Sequence, residues 1–200
     1  FTGVSMEAKF RKNYNVDLKG LEVRFFVAQT IDRNEGLTTS KYNWSLSGQN
    51  GASDYLYDHT LLGRDQSYPD MTNQQTTGTQ GDFKVSSVYT IGSSNSWLAA
   101  LNLKVEAPIR IPIGLFADAG VHPVKVNSNG QVTNDIRMQY DGGIYIPIRK
   151  DIFEIYIPLF YSEDIKNAID YSNVSFIQRI RFVLNFNELN PFKIVKNIKP

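Results

Sequence analysis

The sequence contains no cysteine and only two histidines, His59 and His122. Without cysteine the chain has no disulfide framework and no thiol chemistry, and its redox compartment is left undetermined. Neither histidine has a second ligand residue at the spacing of a known metal-binding motif, so a zinc site is not expected. We interpret each histidine as a loop or interface residue, and the sequence predicts no metal and no cofactor.

An excess of one charge and long apolar runs are also missing. Lys and Arg number 21 against 20 Asp and Glu, for a net charge of +1, so the chain has no electrostatic footprint for nucleic acid. No apolar run approaches the about 20 residues of a membrane-spanning helix. This excludes a helical membrane protein but not a membrane barrel, whose strands need only about 10 residues of alternating polarity.

Motifs of known catalytic sites are absent as well. The sequence has no Gly-x-Ser-x-Gly elbow and no phosphate-cradling loop. Asp118 and Asp141 are candidates for a carboxylate pair, but nothing in the sequence indicates that they share a site. We therefore predict no enzyme within this chain. Because Phe1 is preceded by neither Met nor a leader, we interpret it as an internal start, which leaves an upstream catalytic domain open.

What the sequence does contain is strict alternation, clearest from Ile111 to Val121. Every odd position of this stretch is apolar, and the even positions hold Pro112, Gly114, Phe116, Asp118 and Gly120. A period of two predicts a β-strand with one apolar face and one mixed face. In the core of a soluble sandwich, Asp118 would need a partner or would have to be neutral, whereas in a wet lumen it would be solvated.

The same alternation predicts several more strands, with charged residues of both signs opposite the aliphatic side chains. They are Val4–Arg11, Leu21–Gln29, Tyr42–Gly48, Trp97–Glu106, Ile136–Arg149, Phe153–Tyr161 and Phe176–Phe186, with a weaker candidate at Phe83–Ile91. Such a pattern fits an antiparallel sheet with one face in water, or a barrel with a polar lumen.

Two features favour the barrel. The apolar face is pure over the about 9–11 residues that a strand needs to cross hydrocarbon. Connections also alternate between tight turns, near Pro108 and Lys150, and long polar loops at 122–134 and 162–173, as between two membrane sides. We therefore predict an all-β fold, an antiparallel transmembrane β-barrel with about 8–10 strands in this chain. The barrel domain takes residues 1–187 and a polar tail takes 188–200, with a soluble β-sandwich or small-ligand barrel as the alternative.

The connection 49–82 is polar and much longer than ordinary loops. Loops of this length in compact domains are usually functional or disordered. It contains the stretch Leu61-Leu62-Gly63-Arg64-Asp65, and a mobile surface loop is one interpretation of it.

The strand Phe116-Ala117-Asp118-Ala119-Gly120 resembles the Phe-x-Asp-x-Gly motif of the BamA-like outer-membrane assembly superfamily, the bacterial surface antigen barrels. The surrounding features follow in the same order as in that family. Lys104–Pro108 precedes the motif and resembles the Glu-x-Arg-x-Pro segment that leads into it. After the motif, one strand ends at Pro147, another at Pro158-Leu159, and the last at the aromatic Phe186. The resemblance covers residues 40 to 187 and is most specific over 97–187.

The resemblance implies the C-terminal part of such a barrel, with the first half upstream. In that family a long loop folds into the lumen, and an Arg at its tip pairs with the Asp of the strand motif. The resemblance therefore implies that the connection 49–82 folds into the barrel lumen. The matching residues here are Arg64 and Asp118, with Phe116, Gly120 and Gly63 as motif residues. The chain departs from the family in two places, because Gly63 precedes Arg64 where the family has Arg-Gly-aromatic, and because a tail follows Phe186.

The function that the resemblance implies is insertion or translocation of polypeptides at the outer membrane of a Gram-negative bacterium. Its partners would be outer-membrane lipid, polypeptide substrates and accessory lipoproteins. The C-terminal third also resembles barrels that Bacteroidota attach behind periplasmic peptidase domains. A membrane anchor for a fused periplasmic enzyme is therefore the second interpretation, and the soluble barrel or sandwich is the third.

Overall fold

The computed structural model describes residues 2–14, 19–33, 43–51, 54, 57–64, 71–85, 91–128 and 131–185. Over these residues the chain is mostly antiparallel β-sheet, curled into a seven-stranded half-barrel. The strands are β1 (Thr2–Asn13), β2 (Gly20–Asp32), β3 (Trp97–Glu106), β4 (Gly114–Ser128), β5 (Gln131–Arg149), β6 (Phe153–Tyr161) and β7 (Arg181–Leu184). Sheet order follows chain order, and each strand pairs with the next in antiparallel orientation. The predicted all-β antiparallel fold is confirmed.

Three helical segments accompany the sheet. They are a 3-10 turn at Met71–Gln74, helix α1 at Glu163–Tyr171 and the short helix α2 at Phe176–Arg179. Among the described residues, none of the helices has the length and apolar character needed to cross a membrane.

The two faces of the sheet have the polarity predicted from the alternation. The outer face carries apolar side chains that are largely exposed: Val4, Met6, Phe10, Phe25, Ile31, Leu101, Leu115, Ile136, Met138, Tyr140, Ile148 and Leu159. The inner face carries buried polar side chains: Arg24, Asn102, Glu106, Asp118, His122, Gln139, Asp141, Glu154 and Arg181. Folded proteins in water usually bury apolar groups and expose charged ones, so this sheet is arranged in the opposite sense.

The long connection between β2 and β3 packs on the inner face. Its buried residues Leu46, Phe83, Val85 and Ile91 form one apolar cluster with residues of the sheet and of α1. Isolated bridges hold the connection together, one between Trp44 and Ser94 and a parallel one between Ser47 and Phe83. The described parts of the predicted lumenal loop therefore cover the inner face of the half-barrel.

Gly120 makes this covering possible. A Cβ atom at this position would lie 2.3 Å from Cδ2 of Leu46, which is itself fully buried. Only a residue without a side chain lets Leu46 approach the backbone of β4 so closely. The glycine of the strand motif thus allows close contact between the loop and the sheet.

The loop also reaches the edge strand β7. The Thr76 N–H donates to the Phe182 carbonyl oxygen at 2.8 Å, and the Gln74 side-chain amide donates to the carbonyl oxygens of Ile177 and Ile180. Sheet edges with unpaired backbone groups invite pairing with other chains. Part of this edge is occupied by the loop instead.

Several predicted element boundaries are wrong. Within the predicted loop 122–134, residues 122–128 continue β4 and residues 131–134 begin β5, and the two segments pair in antiparallel register. The predicted loop 162–173 contains α1, because Ile165 and Ile169 lie one helical turn apart and bury together. Short connections near Pro108 and Lys150 are present, at 107–113 and 150–152.

Two strand predictions, at Tyr42–Gly48 and Phe176–Phe186, also need correction. At Tyr42–Gly48 the described residues form only isolated bridges. The first part of Phe176–Phe186 is α2, because Ser175 and Gln178 form a capping box that starts a helix there. The described residues thus hold seven strands, and Tyr42, Phe186 and the tail 188–200 lie outside them.

We predict that Leu46→Ala destabilises the fold by about 2–5 kcal/mol, because it leaves a cavity between the loop and β4. Chemical denaturation followed by circular dichroism measures the change. Leu62→Ala is the matched control: Leu62 is 56% exposed in the same loop, so its loss should change stability by at most about 0.5 kcal/mol. Equal effects of the two variants would contradict the packing described here.

Candidate functional site

The centre of the inner face holds a row of polar side chains on three neighbouring strands. Asn102 of β3 pairs in register with Asp118 of β4, which pairs with Asp141 of β5. Asp118 is 3% exposed and Asp141 is fully buried. The Asn102 side-chain amide donates to Oδ1 of Asp118 at 2.9 Å. Antiparallel register therefore brings two carboxyl groups together on the wall of the half-barrel.

The loop segment Gly81–Lys84 closes over this row. Asn102 also donates to the Gly81 carbonyl oxygen at 2.9 Å, and the Lys84 backbone N–H donates to Oδ2 of Asp141 at 3.2 Å. The Lys84 ammonium forms an ion pair with Asp82, with 2.6 Å between Nζ and Oδ1. These contacts fasten the loop to β3 and β5 at one place.

Charge balance at this place depends on Lys84. Its side chain is 1% exposed, and its ammonium lies 5.0 Å above the ring of Tyr156 and interacts electrostatically with both Asp118 and Asp141. One oxygen of each wall carboxyl group, Oδ2 of Asp118 and Oδ1 of Asp141, has no hydrogen-bond donor. Buried charges need compensation by partners, and the single positive charge of Lys84, whose ion-pair partner is Asp82, offsets part of the charge at this place.

Arg24 of β2 is a second attachment point for the loop. Its guanidinium donates to Oδ1 of Asn102 at 2.7 Å and to Oε2 of Glu7 at 2.7 Å, and it also bonds the Gln80 carbonyl oxygen. Gln80 and Asp82 both adopt positive φ angles, 52° and 56°. Such backbone is unfavourable for residues other than glycine, so the bonds to Arg24 and Asn102 hold a strained turn in place.

A second charged group lies nearer the tight-turn end of the sheet. Lys104 pairs with Glu154 at 3.2 Å, and Glu154 accepts hydrogen bonds from Tyr145 at 3.2 Å and Tyr156 at 2.5 Å. Phe116 packs edge-on against Tyr156, with ring centroids 5.3 Å apart. The aromatic residue of the strand motif therefore supports the inner face, where it separates this group from the row at Asp118.

A polar cavity of about 440 Å³ lies between the loop and the sheet. It is lined by charged residues of both signs, including Lys9, Glu22, Arg24, Lys104 and Glu154. In the described ranges, no group of three or more His, Cys, Asp or Glu side chains is arranged to hold a metal ion. The ionic groups that line the cavity pair with one another, as Lys104 does with Glu22 and Glu154.

The structure does not bring Arg64 to Asp118. Its guanidinium pairs with Asp54 at 2.9 Å, donates to the His59 carbonyl oxygen at 2.9 Å and covers the ring of Tyr57 at 4.3 Å. Asp54 is a buried carboxylate within the same loop, so a local ion pair takes the guanidinium. Gly63 belongs to the same packing, because a Cβ at Gly51 would overlap its carbonyl oxygen.

The Asp54 pair fixes the charge state of this part of the loop. Burial raises the pKa of Asp54, but the side chain of Asp58, the Arg64 guanidinium and the His59 N–H outweigh it and hold the pKa below its ordinary value. The carboxylate therefore stays ionised at neutral pH and below, and the pair persists until the pH falls through this lowered pKa.

The sequence named Asp141 as a candidate for a carboxylate pair without evidence of a shared site and did not identify Lys84, although a signal existed for each. Asp141 lies eleven residues after Gly130, and Asp118 lies eleven residues before Asn129. A two-residue Asn-Gly turn at 129–130 therefore predicts that the two carboxyl groups face each other. Lys84 lies between the apolar residues Phe83 and Val85 in a weakly alternating stretch. A lysine in this position was the signal for an interior charge.

We predict that Lys84→Met destabilises the protein by about 3–5 kcal/mol, because it leaves the carboxylates on the inner face without their cation. Denaturant unfolding measures the loss, and protease cleavage within the loop should accelerate in parallel. Lys166→Met is the matched control, since Lys166 is exposed on α1 and its replacement should cost at most about 0.5 kcal/mol. Arg64→Met should affect the loop locally; a larger loss from it than from Lys84→Met would contradict Lys84 as the main latch.

Comparisons with known proteins identify no relative of this chain. No protein-family model matches it, and neither the curated proteins nor the solved structures contain a match. Function is therefore inferred from the arrangement of the faces, the loop and the charged groups.

Proposed function

We propose that this chain is part of an outer-membrane β-barrel of the BamA-like surface antigen type, at which polypeptides are inserted or translocated. The observation that carries the proposal is the polarity of the half-barrel, with apolar side chains exposed outside and charged side chains buried inside. The supporting arguments concern the outer face, the inner face and the two ends.

The outer face has the composition of a surface in contact with lipid. Leu115 and Met138 are both 63% exposed, and Ile136 is 64% exposed, on strands that lie side by side. Water-soluble monomers rarely expose a contiguous apolar surface of this kind. Acyl chains of a bilayer would cover it without cost.

The strand lengths agree with the thickness of a bilayer. β3 has 10 residues, which extend about 33 Å along the strand. With the tilt of about 40° found in membrane barrels, this gives a height of about 25 Å, which is that of their apolar band. The other complete strands, with the exception of the short β7, are of similar or greater length.

The inner face supports a hydrated, loop-filled lumen. Its charged groups pair with one another on the wall, as at Lys104–Glu154, and within the loop, as at Lys84–Asp82. The loop is held on the wall by hydrogen bonds that involve Asn102, Asp141 and Arg24, in place of the Arg64–Asp118 latch that the resemblance implies.

The two ends of the half-barrel differ, as the two sides of a membrane do. The connections 107–113 and 150–152 are short and lie at one end. The long loop between β2 and β3, the extension of the β4–β5 hairpin and helix α1 lie at the other end. In outer-membrane barrels the short turns face the periplasm and the long loops face outward.

A membrane anchor for a fused periplasmic enzyme would use the same barrel and the same lipid surface. A soluble barrel is favoured by one observation, the apolar cluster of Leu46, Phe83 and Leu98 beneath the loop. This cluster forms a core on the inner face, which a small soluble barrel also requires. The following two experiments separate these candidates.

We predict that Leu101→Arg prevents insertion of the purified chain into liposomes, because an arginine at mid-depth in lipid costs about 2–4 kcal/mol. Heat-modifiable gel migration and protection from protease measure insertion. Leu62→Arg is the control, because Leu62 is also exposed, at 56% against 47% for Leu101, but lies in the loop. Normal insertion of both variants, or folding of the unmodified chain in water without detergent, would refute the membrane location.

We also predict that liposomes carrying the full chain fold a small unfolded barrel protein faster than empty liposomes do. Liposomes that carry the same amount of Lys84→Met chain, selected for correct insertion, show whether the latched loop takes part. An inserted chain with no effect on the folding rate would favour the anchoring interpretation and would contradict polypeptide insertion.

A further inference from the structure

The carboxyl groups of Asp118 and Asp141 meet on the inner face of the sheet. The two residues pair in register on β4 and β5, and their side chains are hydrogen-bonded to each other. Both are buried, with 3% and 0% of the residue exposed. A carboxylate has only acceptor oxygens, so two carboxylates cannot form a hydrogen bond. One of the two groups must therefore carry a hydrogen for this contact to exist.

The remaining bonds of the pair leave one oxygen on each carboxyl group. The Asn102 side-chain amide donates to Oδ1 of Asp118 at 2.9 Å. The Lys84 backbone N–H donates to Oδ2 of Asp141 at 3.2 Å. Among the described residues, no N–H or O–H group donates to Oδ2 of Asp118 or to Oδ1 of Asp141. One shared hydrogen satisfies both of these oxygens.

The ammonium of Lys84 does not take the place of this hydrogen. It forms an ion pair with Asp82, with 2.6 Å between Nζ and Oδ1, and it also donates to the Asp82 carbonyl oxygen. Asp82, Asp118 and Asp141 are all buried beside this one ammonium. Full ionisation of the three carboxyl groups would leave about two buried negative charges without a cation, which is costly. A single proton halves that excess.

The other polar groups around the pair are held by partners of their own. Arg24 of β2 forms an ion pair with Glu7 at 2.7 Å. Tyr161 of β6 pairs in register with Asp141, and its hydroxyl group accepts a hydrogen bond from Arg179 at 2.8 Å. These contacts direct both guanidinium groups to other acceptors. The negative charge of the pair is therefore lowered by a proton and not by a second cation.

We propose that Asp118 and Asp141 form a proton-binding site, in which the two carboxyl groups of the folded protein share one hydrogen at neutral pH. The pair then carries a single negative charge. In the unfolded chain both aspartates are hydrated and ionised at neutral pH, so the chain takes up one proton when it folds. The site lies on the inner face, and the proposal holds whether lipid or water covers the outer face.

Uptake of a proton makes the stability of the fold depend on pH. The folded state holds one proton more than the unfolded state, so stability falls as the pH rises. The equilibrium constant for folding should decrease about tenfold per pH unit. This holds over the range in which the folded pair keeps its hydrogen and the unfolded aspartates have lost theirs. Above that range two adjacent buried carboxylates repel each other.

Infrared spectroscopy of the full chain, folded in detergent micelles at neutral pH, tests for the hydrogen directly. We expect the C=O stretching band of a protonated carboxyl group, which carboxylates lack. The band should disappear in Asp118→Asn, because the new amide donates to Asp141 while its oxygen still accepts from Asn102. Asp170→Asn, at an exposed position of α1, is the matched control and should keep the band. If the chain folds without detergent, the same spectra are recorded in buffer.

Urea unfolding at several pH values tests the uptake of the proton. Between about pH 6 and about pH 8, where hydrated aspartates are ionised, the folding constant of the unmodified chain should fall with pH more steeply than that of Asp118→Asn. The difference should be about tenfold per pH unit. Asp170→Asn should keep the slope of the unmodified chain.

Three results would overturn the proposal. The first is a folded, unmodified chain without the band of a protonated carboxyl group at neutral pH. The second is a band that survives in Asp118→Asn. The third is an equal pH dependence of stability in the unmodified chain and in this variant. Should Asp118→Asn fail to fold, Asp141→Asn replaces it, since its amide donates to Asp118 and its oxygen accepts from the Lys84 N–H. The first result needs no variant.

Discussion

The structure depends on one electrostatic constraint, the compensation of carboxyl groups buried on the inner face of a curled sheet. Register between β4 and β5 places Asp118 opposite Asp141, and neither carboxyl group is reached by solvent. The ammonium of Lys84, which pairs with Asp82, adds a positive charge near them, and the Lys84 backbone N–H donates to Asp141, which brings Asp82, Phe83 and the strained turn before them onto the wall. The position of the long loop thus follows from the need to neutralise these groups.

Packing and charge act together at this contact. Gly120 has no side chain that would exclude Leu46, so the apolar part of the loop packs closely on β4. The polar part of the loop bonds Asn102 on β3. A loop held only by ion pairs would gain little stability, since the cost of removing the charges from water offsets much of their Coulomb energy. The apolar cluster beside the ion pairs supplies stabilisation that the charges alone do not.

The same sheet gives the two faces different roles. Its inner face holds the loop and the polar cavity. Its outer face exposes a continuous apolar surface, which is the basis for the proposed membrane location. Because side chains alternate strictly between the faces of a strand, one sequence pattern sets both properties together.

The sequence by itself determined the all-β class, the antiparallel order, the positions of β1 to β6 and the polarity of both faces, because period-two alternation is a local property. It also marked Asp118 as a carboxylate that would need a partner if it were buried in an apolar core. Helix α1, the β4–β5 hairpin beyond His122 and the short β7 were decided by local capping and pairing that alternation does not report. The surroundings of Asp118 were decided only in three dimensions. Arg64 meets Asp54 within its own loop, while Asn102 donates to Asp118, because strand register sets which side chains meet on the wall.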